Sequence, residues 1–290
     1  DDQLSKRLQF LLKNLLRMKI LSINGGGAKG MRVASFLNSQ TKGLEFADMY
    51  AGTSTGSIIC AMLAVGFSTD KIQKTYETLG KEVFKKSFLR FGLLREKYDN
   101  INLIQLAHET YGDIRFGDLS TDLFIPVLNI THKKVDFIRT TAEKYKKVLV
   151  MDAVTASSSA PSFFKPYSFG GCTYIDGGVA INNPCFASYT EAKKKTGQIH
   201  HSLTSLTTGS DVIEDYEAMR SWTVSDAPDL INVILNEQER SSHYYASQWI
   251  SDYQRIEMLS NLSSGKIDDF SNSNTRNMIL EGQNTAKQLK

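Results

Sequence analysis

The chain has 290 residues, 41% of them hydrophobic and 22% charged, with a formal net charge of +3. This suits one large core and excludes a disordered or fibrous chain. The small positive balance lacks the concentrated basic stripe of a nucleic-acid-binding domain, and no apolar run of about 18 residues is present to span a bilayer.

Residues 3–17 read as an amphipathic helix. Leu4, Leu8, Leu11, Leu12 and Leu15 recur at helical spacing between Lys6, Arg7, Lys13 and Arg17. Such a helix packs on its own domain or lies on a membrane. Met18 precedes the first strand, so the expected layout is an N-terminal helix over 1–18 and one domain over 19–290 with a helical C-terminal part. Lys19–Ile23 is a short apolar strand, followed by a glycine loop and a helix from Met31 to Gln40. Asp48–Ala51 repeats the pattern as strand, tight turn and apolar helix, Ser57 to Val65. Two such units predict a parallel sheet with helices on its faces.

Residues 69–111 read as mostly helical. Phe124–Ile130 and Val135–Thr140 alternate as a hairpin around a polar turn, His132–Lys134. A helix is predicted over Val150–Ala160, ended by Pro161. Thr173–Ile175 and His201–Thr208 read as strands, and 229–262 and 275–289 as helical. Ser263–Asn274 is polar and reads as a surface loop. Phe163, Phe164, Tyr167 and Phe169 suit a groove lining, a membrane-touching rim or the core. The lysine clusters at Lys144, Lys146, Lys147 and Lys193–Lys195 read as solvated faces, with attraction to anionic lipid as the alternative. Cys60, Cys172 and Cys185 show no paired spacing, and no secretory signal is visible. A reducing, cytoplasmic setting is the expectation.

Three motifs carry chemistry. Gly52-Thr53-Ser54-Thr55-Gly56 has the GxSxG form of a nucleophile elbow, where a serine on a sharp strand-to-helix turn is lifted above the sheet. Glycines flank it because side chains there would strike neighbouring backbone. Gly25-Gly26-Gly27-Ala28-Lys29-Gly30 exposes backbone N–H groups to an anion. That anion is either a nucleotide phosphate, with Glu45 or Asp48 near the spacing of a ribose-binding acid, or the oxyanion of acyl transfer. Lys29 adds positive charge nearby. Asp176-Gly177-Gly178 follows a strand, which places a carboxylate at a strand end. No metal-binding pattern is evident.

In order, GGGxKG, GTSTG, the block Ala156-Ser157-Ser158-Ser159-Ala160-Pro161 and DGG resemble the patatin-like phospholipase family over roughly residues 19–210. The resemblance implies an α/β three-layer sandwich with a central, mainly parallel sheet. It implies a lipid acyl hydrolase of phospholipase A type, without cofactor, acting through a Ser-Asp dyad rather than a histidine triad. Ser54 is then the nucleophile and Asp176 its base. Gly25, Gly26, Gly27 and Lys29 form the oxyanion hole, and Gly30, Gly52, Gly56, Gly177 and Gly178 support the motifs. Asn24 and Lys29 depart from the family's usual aspartate and frequent arginine at those positions. The implied partner is a phospholipid or other acyl lipid, with peripheral membrane contact and no nucleic acid. The oligomeric state stays open. The rival readings are a carboxylesterase acting on soluble esters and a nucleotide-binding regulatory module. His200, His201 and His243 fall late enough for a triad base but, like His108 and His132, sit in no motif.

Overall fold

The computed structural model describes residues 17–40, 43–84, 96–209 and 227–289. The expected N-terminal helix lies outside them except for its last residues, as does part of the stretch read as helical over 69–111. Among the described residues, the strands are β1 (Lys19–Ile23), β2 (Met49–Gly52), β3 (Asp122–Asn129), β4 (Lys134–Arg139), β5 (Tyr167–Phe169), β6 (Cys172–Asp176), β7 (Ser202–Leu206) and β8 (Asp252–Ile256). They form one sheet in which β3, β2, β1, β7 and β8 run parallel in that spatial order. The helices are α1 (Gly30–Ser39), α2 (Thr55–Ala64), α3 (Thr69–Val83), α4 (Asn100–Tyr111), α5 (Val150–Ser157), α6 (Cys185–Thr196), α7 (Ala227–Trp249) and α8 (Asn272–Gln288).

The central strands are apolar because both their faces are covered. On β1, Ile20 joins one cluster with Tyr189 of α6 and Ala246 of α7, while Leu21 and Ile23 join another with α1, α2, α5 and α8. Met49 and Ala51 of β2 face the first cluster and Tyr50 the second. This period of two makes a three-layer sandwich, as expected from the sequence.

The register on β3 positions the site. Phe124 pairs with Ala51 of β2 and with Arg139 of β4, and Val127 pairs with Asp176 of β6 and with Asp136 of β4. Since β4 occupies one edge throughout, β2 and β6 share the other. The pairing of β2 stops at Ala51, and β6 enters from the opposite direction and ends at Asp176. Two strands therefore deliver the residue after Gly52-Thr53 and the acid to one gap in the sheet.

Several sequence expectations need correction. The helix read over 229–262 ends at Trp249, and Asp252–Ile256 is a fifth parallel strand. Arg255 there makes an ion pair with Glu239 of α7, which settles a charge on a half-covered strand. Tyr167–Phe169 is also a strand. Helix α5 stops at Ser157, three residues early, because the Ser159 carbonyl turns to accept the Asp176 N–H at 3.0 Å. The 263–274 stretch is a loop up to Ser271, as expected, but it also reaches inward: Ile267 contacts the glycine loop, and Phe270 stacks on Phe84 with ring centroids 4.9 Å apart. Among the described residues no helix is long and apolar enough to cross a membrane, and all three cysteines are free.

Candidate active site

Ser54 stands between β2 and α2 with φ 53° and ψ −123°, a backbone conformation that side-chain-bearing residues seldom adopt. Tight packing holds it there. A Cβ at Gly52 would collide with the Gly56 carbonyl, and one at Gly56 with the Ile23 carbonyl of β1. The Ser54 N–H donates to Ser157 Oγ at 3.0 Å, and that hydroxyl donates to the Pro126 carbonyl at 2.8 Å. Thr53 Oγ1 donates to the Ile181 carbonyl at 2.9 Å. The elbow is thereby tied to α5, β3 and the turn after β6.

Asp176 is 5% exposed. Its Oδ1 accepts the Gly178 N–H at 2.6 Å, and the Ser54 side chain lies near enough to draw its pKa down. Burial drives its pKa up to about 7, against the opposing pull of Ser54 and the Gly178 N–H. A Cβ at Gly177 would strike the Pro126 carbonyl, so the turn after the acid needs glycine to lie against β3.

The glycine loop leaves β1 beside this pair. The Gly25 N–H is taken by the Asn182 carbonyl at 3.2 Å, and the Ala28 N–H by the Ile267 carbonyl at 2.7 Å. Between them, the N–H groups of Gly26 and Gly27 donate to no described residue, and both glycines line the same cleft as Ser54 and Asp176. Gly27 has φ 56°, and a Cβ there would meet the Ile267 carbonyl. Tyr76 Oη donates to the Gly27 carbonyl at 2.5 Å and is hydrogen-bonded to the Thr55 hydroxyl. Gly30 leaves room for both those hydroxyls. Lys29 is buried at the end of the turn and is not among the residues lining the cleft.

The cleft is narrow, with a cavity volume of about 70 Å³. Apart from the groups above, its walls are mainly apolar, with Ile58, Val83, Phe84, Leu103, Phe163 and Phe164 prominent. Of the four aromatics singled out in the sequence, Phe163 and Phe164 line it. Tyr167 and Phe169 instead pack on the core, Phe169 stacking on Tyr174 at 4.6 Å. No histidine lines the cleft. His201 accepts the Met18 N–H at 3.1 Å near the opposite ends of the strands, and His243 bonds the Tyr253 hydroxyl.

The sequence reading missed Ser157, Asn182, Tyr76, Thr208 and Ile267 as site residues. Tyr76 had a weak signal, falling with Ile72 and Val83 on the buried stripe of α3. Ser157 sat within a quoted motif but gave no hint which of three serines turns inward. Among the described residues no group of three or more potential metal ligands occurs.

Comparison with known proteins gives this geometry its setting. A family model described as patatin-like phospholipase matches residues 21–188. Patatin-like protein 2 of Oryza sativa is 30% identical over 213 residues, covering 60% of this chain and 53% of that protein. A cGAMP-activated phospholipase of Escherichia coli is 26% identical over 239 residues, 71% of this chain and 67% of its own length. The chain spans about half the length of the first plant relatives it matches. VipD of Legionella pneumophila, at 13% identity and a TM-score of 0.55 over 94% of this chain and 66% of its own, has the same fold. Since the family model covers more than half of the chain, the chain belongs to the patatin-like phospholipase family.

Proposed function

We propose that the chain is a lipid acyl hydrolase of phospholipase A type, in which Ser54 attacks the ester carbonyl and Asp176 takes its proton. The catalytic unit is residues 19–290, with 1–18 as an appendage. One observation carries the reading: Ser54 and the buried carboxylate of Asp176 line one cleft whose other walls are mainly apolar. An aspartate with its usual pKa near 3.9 is a poor base at neutral pH, whereas one near 7 matches the working range of a general base.

In the proposed cycle the Ser54 Oγ–carbonyl bond forms as the hydroxyl proton passes to Asp176. The tetrahedral oxyanion faces the N–H groups of Gly26 and Gly27. Gly25, whose N–H is committed to Asn182, shapes the loop without donating, and Lys29 contributes from beneath the turn only. Protonated Asp176 returns the proton to the departing alcohol, and water then releases the fatty acid by the same route. The start of α2 also points its positive dipole end at the reacting oxygen. An acyl chain suits the cleft because each methylene removed from water is worth about 0.8 kcal/mol. Reaching it in a bilayer requires peripheral contact at the cleft mouth.

The test compares wild type with Ser54→Ala on phospholipid vesicles and on soluble butanoyl esters, alongside labelling by a fluorophosphonate. Expected are fatty acid release from vesicles, a fall of roughly a thousandfold or more in Ser54→Ala, and labelling confined to wild type. Labelling that survives in Ser54→Ala removes the serine from the mechanism. Turnover of soluble esters with none on vesicles makes the enzyme a general carboxylesterase.

A further inference from the structure

The glycine loop is held from both sides by residues beyond the stretch that matches the family model, which ends at residue 188. On one side, Thr208 Oγ1 donates to the Gly25 carbonyl at 2.8 Å, and the threonine fills the space a Cβ at Gly26 would need. On the other, the Ile267 carbonyl accepts the Ala28 N–H at 2.7 Å. Gly26 and Gly27 lie between these two ties.

The two supports share one anchor. Arg32, in α1 just after the loop, donates from Nη1 to the Thr208 carbonyl at 2.7 Å and from Nη2 to Ser263 Oγ at 2.7 Å. Its Nε donates to Glu281 of α8 at 2.8 Å, with both side chains fully buried. Glu281 also accepts the N–H groups of Leu262 at 2.7 Å and Ser263 at 3.0 Å, and the Ser263 hydroxyl at 2.5 Å. The backbone makes room for this contact. A Cβ at Gly209, where φ is 89°, would lie 2.5 Å from Arg32 Nη1, and one at Gly282 would strike the Arg32 carbonyl. Burial pushes the Glu281 carboxyl up, but the Ser263 and Leu262 hydrogen bonds and Arg32 outweigh it and hold the group ionised.

A fully buried ion pair is a weak means of stabilisation, because two apolar side chains would fill the same space at less desolvation cost. It does fix direction: a guanidinium is a rigid planar fork, and here its donors reach three separate segments. We propose that Arg32 and Glu281 are positioning residues, which set Thr208 and the 262–267 segment against the glycine loop and so aim the N–H groups of Gly26 and Gly27 at the oxyanion. The proposal rests on the assignment of Ser54 as nucleophile, and it makes the C-terminal part of the chain a component of the catalytic apparatus.

The test uses Glu281→Gln and Thr208→Val in the full chain, with Ser54→Ala beside them. Thr208→Val removes only the hydroxyl tie and introduces no buried charge, so it serves where Glu281→Gln fails to fold. Active serines are titrated with a fluorophosphonate, and turnover is expressed per titrated site. Both variants are expected to titrate fully, to lose about 10- to 100-fold in kcat, and to keep KM within about twofold. The acidic limb of the pH profile should stay where it is in wild type. A fall in the titratable fraction with wild-type turnover per site overturns the proposal, because that is what a merely structural role produces. Wild-type turnover in both variants with an inactive Ser54→Ala also overturns it and leaves the serine mechanism standing. Turnover that survives in Ser54→Ala sinks the mechanism itself.

Discussion

At the scale of single residues, the proposed base Asp176 sets the expected response of activity to pH. Its identity and its place after a strand were legible in the sequence, but its basicity was not, because burial comes from residues far away along the chain. With a folded-state pKa of about 7, the carboxylate is protonated below neutrality and cannot take the Ser54 proton. The expected kcat/KM therefore falls as pH drops through about 7, with no histidine needed to explain the limb. The same shift has a stability consequence. An unfolded aspartate titrates near 3.9. Between about pH 4 and 7 the folded chain holds a proton that the unfolded chain has released, so stability falls as pH rises across that window. Asp176→Asn removes this penalty. It should be inactive yet more stable than wild type at pH 8, by up to about 3–4 kcal/mol, and nearly equal to it at pH 4. Urea unfolding at both pH values checks this, and a variant that loses stability at pH 8 refutes the buried-carboxylate account.

At the scale of elements, the elbow depends on a helix end as much as on its own glycines. The hydroxyl of Ser157, in the last turn of α5, bridges the Ser54 N–H and the Pro126 carbonyl of β3. With this bridge removed, a half-buried N–H in a strained conformation loses its partner, at a cost of about 1 kcal/mol. Ser157→Ala should lower unfolding stability by that amount, and kcat with it, because the backbone of the proposed nucleophile is no longer fixed. Unchanged stability and turnover would show that the strand and helix alone set the elbow. The three motifs were readable because each pairs a local rule with local context: a glycine where the backbone turns sharply, an apolar strand before it, a helix after it. The Ser157 bridge was not readable, since nothing local separates it from Ser158 and Ser159. Helix α5 was overextended for a related reason: the force that ends it at Ser157 is a carbonyl turning toward Asp176, about twenty residues further on in sequence.

At the scale of the whole molecule, the sequence reading weakened where structure depends on distant partners. Strand β8 has only five residues, of which Ile256 alone is buried, and a long helical pattern before it masked so short a signal. The polar 263–274 segment looked solvated, yet its serines and amides are spent on Glu281 and on one another while Ile267 and Phe270 turn inward. The cleft is built the same way, from side chains that share no sequence neighbourhood: Ile58 of α2, Val83 of α3, Leu103 of α4 and Phe164 after α5. Leu103 is 3% exposed and sits on a peripheral helix, one helix removed from the sheet that carries Ser54. If the acyl chain fills this apolar space, a bulkier side chain there shortens the chain that fits without touching the reacting atoms. Leu103→Phe takes the room of about one methylene, worth roughly 0.8 kcal/mol, or roughly fourfold in kcat/KM. That loss should fall on palmitoyl esters while butanoyl esters are turned over as by wild type. Both substrates declining together would mean that the chain lies elsewhere, and that this cleft serves the core rather than the lipid.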